Sequence, residues 1–171
     1  MVEASIGAPV ERPSLATAAG YGISAWALLF ALPHVYWGLG GRAGLSGTVG
    51  AANLHLFDDP WVQAIGLWGV ALLCAIAALY GLAVARPWGR VVPRWLLLGD
   101  ALAACALLGL RGASGVLVAG LAQLGLVAVP DDPDIWQVVH SSLLLWSPGF
   151  LAGAALFAAA AWGLRRREAG R

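Results

Sequence analysis

Four apolar runs of about membrane-spanning length constrain this chain more than any other feature of its sequence. A spanning helix needs roughly 20 mostly apolar residues. Thr17–Trp37 is the first such run, and Trp61–Val84 the second, with Trp61 as an interfacial anchor. Trp95 opens the third, which runs to Leu110 before meeting Arg111. Ser142–Leu164 is the fourth, with a helix start as early as Ile135. Only 11% of the 171 residues are charged, against roughly 25% in a soluble domain. That excludes an ordinary soluble domain, a disordered chain and a nucleic-acid binder, which needs a basic face. The chain is read as all-α: a polytopic membrane protein, a four-transmembrane-helix bundle spanning 17–164. Residues 1–16 are expected to be a disordered tail and 165–171 a basic one.

Charge decides the orientation. Loops on the cytoplasmic side collect Lys and Arg, and all ten basic residues here are Arg. Arg86, Arg90 and Arg94 fill the loop after the second run, and Arg165, Arg166, Arg167 and Arg171 the C-terminus. With Arg12 they fall on one side of a four-span chain, so both termini are expected in the cytoplasm. Such a protein sits in the cell (inner or plasma) membrane as a multi-pass protein. The N-terminus carries Glu3, Glu11 and Arg12, unlike the positive start of a secretory signal, so the first run is read as a retained helix.

A fifth apolar stretch, Gly112–Val129, would place the C-terminal arginines on the wrong side if it crossed. Gly112, Gly115, Gly120 and Gly125 weaken it as a lipid-facing helix. It is expected to be a bent extension of the third span or a half-embedded segment over the outer mouth. The short loop Ala85–Arg94, with Pro87 and Pro93, predicts that the second and third spans form an antiparallel hairpin. Three small-residue pairs are candidate close crossings: Ala77-x-x-x-Gly81, Gly99-x-x-x-Ala103 and Gly149-x-x-x-Gly153. Pro33 and Pro148 each remove a backbone donor and are expected to bend their helices. Cys74 and Cys105 lie inside apolar runs and read as small hydrophobes.

Ionisable groups inside a membrane are costly and face the interior or water. His34, Asp100, Arg111 and His140 qualify. His34, Asp100 and His140 are the acid–base candidates, and the plainer role for Asp100 is an ion pair with Arg94, one and a half turns back. His34, His55 and His140 all fall on the outer side; three His could bind zinc, but no helical i,i+4 pair is present, and His34 with His140, on two helices, could ligate a haem iron. No metal and no cofactor is expected. Tyr36 and Trp37 suit an aromatic belt, as do Trp136 and Trp146. Tyr36, Trp37, Arg42, Arg111 and Trp146 are the binding candidates. Arg111 is expected to point into the bundle towards His34 or His140, with Tyr36 and Trp37 walling a pocket that Gly112–Val129 covers. Asp131, Asp132 and Asp134 lack a calcium-loop pattern and read as a turn capping the fourth span. No nucleophile elbow, P-loop or dinucleotide fingerprint is present.

The string His34-Val-Tyr36-Trp37-Gly-Leu39-Gly40-Gly41-Arg42 resembles a family of small bacterial four-helix membrane proteins, domain of unknown function three-nine-nine-five. Members carry His-x-Tyr-Trp-x-Leu-Gly-Gly at the end of the first helix, an Arg-x-x-Gly-like break after the third, and a Ser-Pro step in the fourth. Arg111-Gly112 and Ser147-Pro148 are the nearest equivalents, and the resemblance spans 20–164. Gly112–Val129 departs from it, being apolar where polar and aromatic residues are expected. The resemblance implies fold and topology and no activity.

Two kinds of function fit these residues. One is a non-enzymatic membrane protein that binds a membrane lipid or lipophilic small molecule, or serves as an accessory subunit with a membrane-protein partner or as a homo-oligomer. The other is a membrane-embedded enzyme, of isomerase or cyclase type, doing acid–base chemistry on a lipophilic substrate. A transporter is disfavoured, since four spans lack inverted repeats.

Overall fold

The computed structural model describes residues 13–169. Four helices are long and apolar enough to cross a membrane: α1 (Leu15–Gly38), α2 (Pro60–Ala85), α3 (Arg94–Gln123) and α4 (Pro133–Arg166). Ser14 starts α1 by accepting from the Thr17 amide at 3.3 Å. Asp59 starts α2 by accepting from the Trp61 amide at 2.7 Å. Asp132 starts α4 in the same way, through the Asp134 amide at 2.8 Å. These side-chain acceptors satisfy donors that a helix start leaves open. Asp132 thus has the capping role expected of the acidic turn. Residues 1–12 of the expected N-terminal tail lie outside the described residues. Helix α1 begins two residues before Thr17, and the fourth helix carries on through Arg165 and Arg166 to Ala169.

The helices alternate in direction. At one end, Gly163 of α4 meets Ala16 at the start of α1, and Gly20 of α1 meets Gly81 and Ala85 at the end of α2. Arg94, opening α3, donates to the Leu164 carbonyl near the end of α4. Both described ends of the chain therefore share a face with the 85–94 loop, the terminal face below.

Helix α1 packs along α2 and against α4, and α4 packs along α3. Helices α2 and α3 are not a packed pair. The expected hairpin is therefore joined in sequence but open in space. The reason lies in where the small residues point. Ser24 of α1 donates to the Ala78 carbonyl at 2.8 Å, and a Cβ on Gly20 would stand 2.5 Å from the Gly81 carbonyl oxygen. Only glycine allows that approach. On α3, a Cβ on Gly112 would stand 2.8 Å from Leu151, and one on Gly115 would overlap Ser147. The glycines read as weak points of a lipid-facing helix are thus the seam between α3 and α4. Gly99 meets nothing within 4 Å and Ala103 is exposed, so that pair is not a crossing. Near the terminal face the Tyr80 hydroxyl of α2 donates to the Leu97 carbonyl of α3 at 2.7 Å.

Helix α3 runs without a break through Gly112 to Gln123, where Gly125, at φ 70°, ends it. Residues 112–123 are therefore a continuation of the third helix rather than a separate segment. Proline acts differently in α1 and α4. Helix α1 passes Pro33 as an α-helix. In α4 the turn Ser142–Trp146, just before Pro148, is π-helical, and the Ser147 amide reaches back to the Ser142 carbonyl. Pro148 supplies no donor to the preceding turn, and the wider turn redistributes the carbonyls there. Helix α2 has a second π-helical stretch, Gln63–Gly69.

The surface around the helices is leucine-rich. Leu29, Leu72, Leu107 and Leu110 are each more than 60% exposed. A bundle in water does not leave so continuous an apolar surface bare.

Candidate functional site

The face opposite the termini is built around aromatic rings. Phe30 of α1 is the hub. It stacks on Trp26 (centroids 5.1 Å apart), meets Phe150 at 5.1 Å, and takes Trp146 edge-on at 5.5 Å. The His34 ring, one turn further along α1, lies 5.5 Å from Trp37 and 6.0 Å from Trp146. These spacings suit edge-to-face and offset pairs. Gly149 and Gly153 make room for the array: a Cβ on Gly149 would come 2.7 Å from the Phe30 ring, and Gly153 faces Trp26. The Gly149-x-x-x-Gly153 pair thus receives rings rather than a helix backbone. The Trp26 indole donates to the Gly149 carbonyl at 2.9 Å, tying α1 to α4 beside Pro148.

Between this array and the unpacked flanks of α2 and α3 lies a cleft of about 500 Å³. Trp26, Phe30 and His34 line it from α1; Cys74 and Ala77 from α2; Ala104, Leu108 and Arg111 from α3; Ser142, Trp146 and Phe150 from α4. Its volume falls in the range of small-molecule sites, which are mostly apolar with a few placed polar groups. No Asp or Glu lines it.

The segment between α1 and α2 borders the end of the cleft through Thr48. Leu45, 1% exposed, packs with Trp37 and Leu67 in a second small core. The Trp37 indole donates to the Ala43 carbonyl at 2.8 Å, Ser141 donates to Gly47, and Thr48 borders the cleft. This cap borders the end that Gly112–Val129 was expected to cover. That segment instead lines a second cavity of about 390 Å³, with Ile135 and Val139 of α4, which shares Arg111 and Ser142 with the cleft.

The candidate residues separate clearly. His34, Arg111 and Trp146 border one cleft. The Arg111 guanidinium lies over the Phe150 ring, 5.0 Å from its centroid, a cation–π distance. Among the described residues it has no carboxylate partner; the Arg42–Asp58 ion pair, 2.8 Å long, lies in the cap and away from the cleft. His34 Nδ1 donates to the Phe30 carbonyl at 2.9 Å; a carbonyl only accepts, so Nδ1 carries the hydrogen and Nε2 is the ring's free nitrogen. The Trp146 indole N–H is buried without an acceptor among the described residues, enclosed by the rings of Phe30, His34 and Trp37. Trp37 is buried behind that array, and Tyr36 is exposed with its ring against Gly41. Neither lines the cleft as expected.

The other acid–base candidates lie elsewhere. His140 is exposed, its ring 5.9 Å from Trp136. Asp100 is exposed near the terminal end of α3. It is not ion-paired to Arg94, whose guanidinium reaches across to Leu164. His55 donates to its own segment through the Ala52 carbonyl at 2.8 Å. Among the described residues no three His, Cys, Asp or Glu side chains gather as a metal site requires.

Two features of the site escaped the sequence reading. The π-helical turn Ser142–Trp146 delivers Ser142 and Trp146 to the cleft, and Pro148 was its signal. The cap 39–59 had no signal beyond its glycines and Leu45. The three strings that carried the family resemblance do converge: the His34–Trp37 string meets Trp146, and Arg111-Gly112 meets the turn before Pro148 at Ser147.

No curated protein and no solved structure gives a significant match to this chain. The model of the family described as Protein of unknown function (DUF3995) matches residues 27–157, from the middle of α1 through Phe157 of α4, and the chain belongs to that family.

Proposed function

We propose that this is a multi-pass protein of the cell membrane, with its terminal face in the cytoplasm, that takes a lipophilic molecule from the bilayer into the cleft between α2 and α3. The observation that carries the reading is the open seam: two helices joined by a short loop stay apart, and the space between them is aromatic-lined. The arginines of the terminal face, Arg86, Arg90, Arg94, Arg165 and Arg166, support the orientation. The role is binding, by this protein alone or as a subunit of a larger membrane assembly. Acid–base catalysis has less support, since of His34, Asp100 and His140 only His34 borders the cleft.

The test is the lipid content of the protein purified in mild detergent, read by mass spectrometry. Wild-type protein is expected to retain one defined lipophilic species near equimolar amount. Ala104→Trp, which fills the cleft from α3, is expected to lose it while the protein stays monodisperse. Retention of only the bulk lipid mixture, unchanged by Ala104→Trp, would contradict the reading.

A further inference from the structure

Arg111 sets the chemistry of whatever enters the cleft. It lies seventeen residues beyond Arg94, about 25 Å along the axis of α3, and the helix continues to Gln123. With Trp95 at one interface of a hydrocarbon layer about 30 Å thick, Arg111 falls short of the other interface. An ionised group at that depth faces a partner or a water-filled space. Phe150 holds the guanidinium by its face, and its N–H donors have no acceptor among the described residues. Neither Asp100, eleven residues back on the same helix, nor Asp131, Asp132 and Asp134 beyond it form an ion pair with it. The other hydroxyls at this end are partly committed: Thr48 donates to Gly44 at 3.1 Å, and Ser141 to Gly47 and Val138. Ser142 has only a 3.5 Å approach to Ser147. The result is a single positive charge at one end of an apolar cleft with no acidic side chain in its lining.

We infer that the cleft takes an amphiphile with an anionic head, a carboxylate or a phosphate, forked by Arg111, its chain running between Ala77 and Ala104 towards Phe157. Guanidinium presents paired donors that match both anions. Ser142 and His34 Nε2 are further polar groups that border the cleft. This inference rests on the lipophile-binding reading above and adds the class of head.

The experiment compares three probes of one chain length, oleic acid, oleyl phosphate and oleyl alcohol, binding to purified protein in phosphatidylcholine nanodiscs. Wild-type protein is expected to bind the better of the two anions at least about tenfold more tightly than the alcohol. Whether the acid or the phosphate leads distinguishes a fatty-acid-type from a phospholipid-type source. Arg111→Gln is expected to bring the anions to the level of the alcohol. Arg42→Gln, which removes an arginine of the same face outside the cleft, is expected to leave the preference intact. Equal binding of alcohol and anions by wild-type protein overturns the anionic head and leaves the cleft reading standing. An equal loss of preference with Arg42→Gln overturns it too, because surface charge then explains it. Failure of all three probes to bind overturns the cleft reading itself. The wild-type comparison decides the matter even if Arg111→Gln does not fold.

Discussion

The two ends of the bundle are built from different materials. Towards the terminal face, helices touch through Gly20, Ser24, Gly81, Gly163 and Ala16, and Ala101 and Ala160 are fully buried. Towards the opposite face, α1 meets α4 through Trp26, Phe30, Trp146 and Phe150, α3 keeps its glycine seam with α4 at Gly112 and Gly115, and two of the four helices relax into π-helical turns. In a bilayer the hydrophobic effect does not drive helices together, so side-chain size sets how closely they approach. Small residues give a dry seam. Rings that meet glycine on one side and nothing on the other give a cleft. Tyr80, bonded to Leu97, marks where one regime passes into the other between α2 and α3.

The largest effect is expected where backbones touch. Gly81→Leu puts a branched side chain against the Gly20 carbonyl and Ser24, neither of which can yield. Overpacking of this kind costs about 1–3 kcal/mol and more where backbone blocks the way. The variant is expected to lose its cooperative melting transition in detergent, as followed by circular dichroism; a wild-type melt would show that the α1–α2 seam is not close-packed.

Arg111 comes next. Arg111→Lys is expected to weaken retention of the bound lipophile about tenfold, nearly as much as Arg111→Ala, because an ammonium keeps the charge but not the fork. Retention by the Lys variant at the wild-type level would reduce Arg111 to a point charge.

Gly149→Leu is expected to cost about 1–3 kcal/mol, since its obstacle is the Phe30 ring, which can partly move. Leucine at the exposed Ala158 of the same helix is the control. Equal melting temperatures for the two would mean that α1 and α4 do not meet through these rings. Gly99→Leu, with nothing within 4 Å of its Cβ position, is expected to leave the melt unchanged or raise it slightly.

Most of the frame was legible because its physics is local. Apolar run length gave the four helices, and Asp59 and Asp132 lay where α2 and α4 needed acceptors. The Gly81 pair named a real crossing, whereas the equally plausible Gly99 pair did not, because spacing says nothing about which face a neighbour occupies. Gly112 and Gly115 were misread for a related reason. Glycine is a liability in an isolated helix and an asset at a crossing, and only the position of Ser147 and Leu151 shows which applies. The pairing of Arg111 with His34 in one cleft followed from depth along their helices. The exclusion of His140 did not, because α4 turns it towards Trp136 and presents Ser141 and Ser142 instead. Nothing local to Ala85–Arg94 reveals that α2 and α3 stay apart; that depends on α1 and α4 claiming their small-residue faces.

The open seam between α2 and α3 is the central claim, and acyl-chain photocrosslinking tests it most directly. A phospholipid or fatty acid carrying a diazirine in mid-chain, incorporated with the folded protein in a bilayer and activated by light, reports which side chains the chain reaches. The account predicts adducts on Ala77, Ala104 and Leu108, inside the cleft, in addition to outward residues such as Leu29 and Leu79. Adducts confined to Leu29, Leu79 and their outward-facing neighbours would contradict it, because α2 and α3 would then be closed to the bilayer.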